Sequence, residues 1–448
     1  MNLRTDLGTL ARAVGGRLMK GSPRAAFSSF VTDTRKLKPG EFFWALKGAA
    51  HDAHDFLRDA ASCASGFLAR EEQLARLPEL PAAAVGVRDT LKALQDLAAW
   101  HRRRFPLKLA AVTGSNGKST TKEMIKSIFS LAGAACSNSG NLNNQYGLPL
   151  SLLELGPEHE FAVFELGASH RGDIKEIASL AAPDCGVITN IGPAHLQFFG
   201  DLETVFETKT ELVPCLAEGG TLVYNYDDQY LSRLNGRDIR KLTFGRDPGA
   251  DVRILESAHL RLEYSGDIFD VRLPHAGGHN FYNAAAAAAA ALACGLDFSV
   301  IRKGLESYTP PPMRLQQLRI KDALVILDAY NSNPHSAASA LKHVAELPKP
   351  FYVMMGDMKE LGEHSRKYHE ELGIALAHSS AKKVFLAGPE MKAAADSFAK
   401  AGGKGLVYAE ELDAWLPKAR ELIVSGEGTF LIKASRSMKF ERIVEGLK

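Results

Sequence analysis

Short apolar runs that break off into polar, often glycine-bearing segments recur along this chain. "LKLAAVT" (107–113), "FAVFELG" (161–167) and "CGVITNI" (185–191) each lead into a polar loop and then an amphipathic stretch. The theme returns in "ALVILD", "FYVMMGD", "KVFLAG", "LVYA" and "TFLIKAS" between 323 and 435. Continuous apolar strands alternating with helices predict parallel sheets covered on both faces. The first hundred residues mix short strands such as "EFFWALKG" with helices and predict a smaller α/β unit. Two stretches read as linkers: the basic "HRRRFPLK" (101–108) and "SYTPPPMR" (307–314), whose three prolines suit neither helix nor central strand. The expected organisation is α/β with three domains, 1–104, 105–312 and 313–448, the last two doubly wound.

Helical periodicity is clearest in "DLETVFETKTELVPCL" (201–216). Leu202, Val205, Phe206, Leu212, Val213 and Leu216 predict one apolar face, and Lys209 falls on that same face. "AAAAAAAALACG" (284–295) is too short to span a bilayer, which takes roughly 20 apolar residues, and predicts a tightly packed helix. The 448 residues are 46% hydrophobic and 24% charged, with net charge +2. No overall basic field points to nucleic acid. Five scattered cysteines without metal-like spacing suit a reducing compartment, and charges interrupt the N-terminus where a secretory signal needs an apolar core. The expectation is a cytoplasmic protein with no membrane insertion.

Ligands of open α/β sheets bind beyond the carboxyl ends of the strands. After "LKLAAVT" come Gly114, Gly117, Lys118, Ser119 and Thr120, and then a helix. Glycines admit phosphate oxygens to the backbone, the helix N-terminus offers free N–H groups, and Lys118 neutralises charge. The glycine spacing is two residues shorter than in the common phosphate loop, because Val112 stands where that loop has its first glycine. Glu165 ends the next strand, where a carboxylate is either a magnesium ligand or simply reaches solvent. His195 follows the third strand, and both a structural and a functional role are open to it. Lys209 either snorkels to water or sits buried as a neutral amine able to take up CO₂ as a carbamate. Asn280 and Asn283 open the alanine helix, where capping alone would explain them. Asp328, Asp357 and Lys433 end three strands of the last segment and suggest a second polar crevice.

"TGSNGKST" resembles the ATP loop of the Mur ligases, a family that uses the shorter glycine spacing and shares it with folylpolyglutamate synthetase. "VTDTRKLKPGEFFWALKG" resembles the uridine-nucleotide domain of that family. "GNLNNQYGLPLSLLEL", "FELGASHRGDI", "NIGPAHLQFFG", "DAYNSNPHS", "GDMKELGEHS" and "KASRSMKFE" follow in the family's order and spacing. "DAYNSNP" and "GDMKELGE" are most similar to the dipeptide-adding branch. The resemblance implies an ATP-dependent, ADP-forming ligase of peptidoglycan synthesis, a monomer acting on UDP-MurNAc-tripeptide and D-alanyl-D-alanine through an acyl phosphate. It implies that Gly114, Asn116, Gly117, Lys118, Ser119 and Thr120 cradle ATP phosphates, with Asn280, Asn283, Arg314, Asp328 and Tyr330 on the nucleotide. It implies two Mg²⁺ sites drawn from Ser119, Glu165, His195 and a carbamylated Lys209. Asn143 and Asn144 would meet the sugar-peptide, Thr34, Arg35 and Lys47 the uridine, and Asn333 the dipeptide. Lys118, Glu165, His195 and Lys209 form the expected catalytic set. Three positions depart from the pattern: Ala434 where glycine is usual, Arg171 in place of proline, and Leu327 in place of an aspartate. Other amide ligases of the family, a phosphate-loop NTPase switch and a non-catalytic UDP-sugar-binding protein are the alternatives. The absence of an N-K-x-D-type base motif weighs against the switch, and intact Lys118, Glu165, His195 and Lys209 against the binding protein.

Overall fold

The computed structural model describes residues 3–447 except 49, 50, 78, 80, 256–258, 275 and 276. Three larger sheets lie along the chain. The N-terminal sheet runs Arg17–Lys20, Ala83–Val87, Gly66–Arg70, Phe42–Trp44, Phe30–Val31, parallel except at its first strand. The central sheet has nine strands. Lys108–Thr113, first in sequence, lies between Phe161–Glu165 and Cys185–Ile188, so the strand order reverses there. That is the switch point at which the loop after a strand opens into a crevice. The hairpin Leu260–Tyr264 with Asp267–Val271 adds an antiparallel edge to a sheet otherwise expected to be parallel. The six-stranded C-terminal sheet is parallel apart from its edge strand Gln316–Ile320. Its register pairs Asp328 directly with Lys433.

Apolar alternation explains how these layers join. One core cluster runs from Trp44, Leu68 and Val85 of the first sheet through Leu94 and Leu97 to Leu109, Phe164 and Leu222 on one face of the central sheet. On the opposite face Val112, Val187 and Val223 pack under Ile125, Phe129 and the alanine run. Ala284 to Ala291 are fully buried, and their small side chains let helix Gly278–Ala293 lie close to the sheet. The central sheet is therefore covered on both faces, as expected.

Two local expectations change. The stretch read as a basic linker is partly helix, since Thr90–Arg102 runs into it. His101 Nε2 meets Leu155 O at 2.8 Å and Arg102 Nε donates to Ala181 O at 3.1 Å, so these side chains anchor the first unit to the second. The helix read over 201–216 spans only Leu202–Thr210, and a 3-10 turn at Val213–Cys215 follows. Pro214 is the reason, because its ring would clash with the carbonyl four residues earlier, that of Thr210.

The phosphate-loop helix Lys118–Ala132 is seated by helix Phe298–Glu306. Ser127 Oγ donates to Gly304 O at 2.7 Å, and a Cβ added at Gly304 would lie 2.5 Å from Ile128 Cα. Glycine to alanine inside a helix ordinarily stabilises by about 0.5–1 kcal/mol. Here the backbone contact should reverse that sign, so Gly304→Ala is expected to destabilise the protein by about 1–3 kcal/mol in urea unfolding. A gain in stability would show that the two helices can separate freely.

Candidate active site

The loop after Lys108–Thr113 is strapped to the tail of the neighbouring strand. Ser115 N donates to Asn190 O at 2.9 Å, Asn116 N to Asn190 Oδ1 at 3.0 Å, and Thr189 Oγ1 to Asn116 O at 2.6 Å. Gly114 has φ +137°, and a Cβ there would sit 2.0 Å from Thr189 Oγ1. At Gly117, φ +80°, a Cβ would sit 2.2 Å from Asn283 Oδ1. Both glycines are thus demanded by close approach, which accounts for the short spacing. Gly117 caps the helix without a side chain, leaving the first-turn N–H groups facing the cavity. Lys118 Nζ donates to Gly114 O at 2.8 Å and Ser115 O at 3.0 Å, and burial lowers its pKa.

Glu165 is buried rather than reaching solvent. Ser119 Oγ donates to its Oε2 and Asn143 Nδ2 donates to Oε1 at 2.9 Å. Its backbone is clamped by Asn138, which donates to Glu165 O and accepts from Glu165 N, both at 2.9 Å. Asn138 was not singled out from sequence, although it precedes the asparagine-rich "GNLNNQ". Asn144 Oδ1 accepts from Tyr146 N and Gly147 N, so it holds the turn that leads into helix Gly147–Leu152 as well as bordering the cavity.

One cavity of about 1690 Å³ collects most of the expected residues: Asn116 to Thr120, Asn143, Asn144, Glu165, His195, Asn280, Asn283, Arg314, Asp328, Tyr330 and Asn333. Asn280 and Asn283 do not cap their helix, whose N-cap is Gly277. They lie within it, buried, and Thr121 Oγ1 donates to Asn283 Oδ1 at 3.4 Å. Across the cavity Lys433 Nζ donates to Asp328 Oδ2 at 2.6 Å and to Asn331 O at 3.1 Å. Asp357, grouped with these two by its strand-end position, is elsewhere. It is fully buried and accepts from Lys359 Nζ at 2.7 Å and Met391 N at 3.0 Å. Arg314 lies 4.1 Å from the Tyr330 ring and is flanked by Met313 and Leu315, both left-handed at φ 58° and 49°. Asn333 caps helix Pro334–Ala345 and donates to Asn116 Oδ1 at 2.8 Å. Its amide therefore joins the C-terminal unit to the phosphate loop instead of standing open.

Lys209 is buried, which removes the snorkelling alternative. Its Nζ lies 5.4 Å from the Phe199 ring centroid and does not line the cavity. Burial first, and then the Lys118 cation, pull its pKa down to about 7, against the opposing pull of Asp173, Glu211 and Glu165. Thr34, Arg35 and Lys47 also lie outside the cavity, on the N-terminal unit. Arg35 is exposed and pairs with Asp33 at 2.8 Å, while Lys47 O accepts from Tyr146 OH at 2.9 Å. Ala434 is fully buried between strand and core, where its methyl faces Gly356. His279, just before Asn280, is half-buried against His343, ring centroids 5.8 Å apart. Burial pushes its pKa down to about 4.

Among the described residues no group of three or more His, Cys, Asp or Glu side chains is arranged to hold a metal ion by itself. The adjacent Ser119 hydroxyl and Glu165 carboxylate are the donor set that suits Mg²⁺, which takes one or two protein oxygens and completes its shell with water and phosphate. No helix among the described residues is long and apolar enough to cross a membrane.

The family description "Mur ligase middle domain" matches residues 112–291, and "Mur ligase, glutamate ligase domain" matches 313–436. The UDP-N-acetylmuramoyl-tripeptide–D-alanyl-D-alanine ligase of Escherichia coli (strain K12) is 35% identical over 434 residues, 93% of each chain. A crystal structure of MurF from Acinetobacter baumannii superposes with TM-score 0.91 at 32% identity, covering 100% of this chain and 99% of that one. MurF ligase from Thermotoga maritima in complex with ADP gives TM-score 0.83 at 29% identity, covering 93% and 96%.

A lysine whose native pKa falls from 10.5 to about 7 makes the unfolded chain bind more protons across that interval, so stability gains with rising pH. Wild type should therefore gain stability relative to Lys209→Met between pH 7 and about 10 in urea unfolding. Parallel pH profiles for the two proteins would place the Lys209 amine in contact with water.

Proposed function

The chain belongs to the Mur ligase family, and we propose that its cavity joins UDP-MurNAc-tripeptide to D-alanyl-D-alanine at the expense of ATP. The observation that carries this reading is the single cavity in which the phosphate loop and Glu165 face Arg314, Asp328 and Lys433 from a second sheet. Its volume exceeds the roughly 300–1,000 Å³ of an ordinary small-ligand site and suits two large anions and a small dipeptide. Such a ligase acts in the cytoplasm as one polypeptide, divided at about residues 104 and 312. This chain supplies the cavity without a second copy.

In this reading the phosphate loop, residues 114–120, receives the ATP phosphates, with Asn280, Asn283, Arg314, Asp328 and Tyr330 around the nucleotide. The tripeptide carboxylate attacks the γ-phosphorus, the bond to the β-phosphate oxygen breaks, and ADP departs. The amine of D-alanyl-D-alanine then attacks the acyl phosphate carbonyl, loses a proton, and expels inorganic phosphate. Lys118 Nζ, held by the Gly114 and Ser115 carbonyls, would exchange them for phosphate oxygens. Ser119 and Glu165 would hold one Mg²⁺ and His195 a second, and bound magnesium offsets charge between the reacting anions. Asn143 orients Glu165 through its amide and borders the peptide side. Asn144 lies on the same side. Thr34, Arg35 and Lys47 would take the uridine end, which a long substrate reaches across the Lys47–Tyr146 contact. Asn333 would meet the dipeptide on releasing Asn116. Excluding water protects the acyl phosphate, and the proline-rich crossover near Arg314 is the hinge for that closure.

A neutral buried amine is also the form that adds CO₂, giving a carbamate and a released proton. Lys209 is proposed to carry that carbamate, as an anion behind the Lys118 cation. With ¹³C-bicarbonate, a carbamate carbon resonance should appear in wild type and vanish in Lys209→Arg; its absence from wild type would leave Lys209 a plain buried amine.

Phosphate release from ATP should require UDP-MurNAc-tripeptide and D-alanyl-D-alanine together, with the pentapeptide seen by mass. A steady ATPase indifferent to both would return the site to the NTPase class.

A further inference from the structure

The segment "GDMKELGEHS" contributes a loop that docks on the histidine end of the cavity, and its Glu360 has no part in the reaction as described so far. His195 adopts φ 55°, outside regular structure, at the start of helix Leu196–Phe199. Glu360, on the facing loop, is also left-handed, at φ 65°. Glu360 Oε2 lies 2.5 Å from His195 Nδ1, and Glu360 O accepts from Gln197 N at 3.0 Å. His364 Nε2 lies 3.2 Å from Gly200 O. Gly362 has φ +58°, and a Cβ there would come within 3.0 Å of Gln197 Cα. Two backbone segments from different sheets are thus fitted together around one carboxylate–imidazole contact. Two strained non-glycine residues facing each other persist only where their surroundings hold them.

We propose that Glu360 is a positioning residue: its carboxylate pins the His195 imidazole through Nδ1 so that Nε2 is presented to the cavity. A ring nitrogen held by a carboxylate keeps its proton there and leaves the other nitrogen with a free lone pair. Because Glu360 belongs to the C-terminal sheet's unit and His195 to the central one, His195 is oriented only while the two are docked. A bare surface ion pair would contribute little. The backbone hydrogen bond and the glycine approach distinguish this contact from one. The proposal rests on the reading that His195 works inside the cavity.

The test uses the full chain without ligands, labelled with ¹⁵N-histidine, the His195 signals being assigned by their loss in His195→Gln. Long-range proton–nitrogen spectra of wild type should show His195 with its proton on Nδ1 and Nε2 bare. Glu360→Ala should lose that state, and Glu360→Gln should keep it, because the amide oxygen still accepts from Nδ1. His364→Ala should also keep it. An unchanged His195 in Glu360→Ala, or an equal change in His364→Ala, would overturn the proposal. In the ligation assay Glu360→Ala should raise the Mg²⁺ needed for half-maximal rate by about tenfold, at the low end for lost support of a ligand, with the KM for D-alanyl-D-alanine unchanged. A lost tautomer with an unchanged Mg²⁺ requirement would keep Glu360 as the positioning residue and remove the metal from His195.

Discussion

A carboxylate taken out of water must be partnered, and the site is arranged around that requirement at Glu165. The strand Phe161–Glu165 delivers the carboxylate to the sheet's switch point, beside the first turn of the phosphate-loop helix. Ser119 meets one oxygen and Asn143 the other, while Asn138 fixes the backbone behind. These contacts tie three consecutive segments of the central unit to one atom pair. They also explain why helix Lys118–Ala132 has to be seated so closely on helix Phe298–Glu306. A displaced helix would separate Ser119 from Glu165 and leave the buried charge alone.

The electrostatics of the cavity follow from the same enclosure. Lys209 is buried and Lys118 half-buried; desolvation lowers the pKa of both, and the Lys118 cation lowers that of Lys209 further. Glu165 acts on both in the opposite direction. Facing them, Lys433 is already matched by Asp328, so that pair adds little net field and serves to fix the strand ends. A site of this composition is poorly satisfied without anions. In the proposed reaction triphosphate and a substrate carboxylate supply them. Ground-state repulsion between the two reacting anions is then offset by groups that were costly to bury.

Much of this was legible along the chain, in an order that follows physical range. Strand runs and the turns after them are local, so the sheets, the phosphate loop and the positions of Glu165, His195 and Lys209 could be read directly. Features set by a second segment could not. Pro214 was visible, yet the apolar spacing suggested a longer helix until its clash with Thr210 O was placed in three dimensions. Asn280 and Asn283 looked like caps because capping is local, whereas the contact of Asn283 with the phosphate-loop helix spans more than 160 residues. Asp357 shares its strand-end position with Asp328 and Lys433 but is taken up by Lys359 and Met391 N, away from the cavity. The helical end of the basic run likewise makes its anchoring contacts, to Leu155 and Ala181, far away in sequence.

The crossover into the last sheet shows how strain can aim a side chain. Met313 and Leu315 are held left-handed on either side of Arg314, a conformation that L residues adopt at a cost of about 1–3 kcal/mol each. Met313 N donates to Gln316 Oε1, Leu315 N to Asp328 Oδ1, and Tyr330 N to Met313 O, so three hydrogen bonds oppose that cost. The backbone between them has no freedom left to turn Arg314 away from the cavity, and Tyr330 supports the guanidinium from behind. Asp328 therefore does two things at once: one oxygen fixes the crossover and the other holds Lys433. A relaxed linker would let the sheets separate more easily but would lose the fixed cation. The hydrogen bonds from Leu315 and Tyr330 tie the backbone around Arg314 to the strand end at Asp328 that it borders.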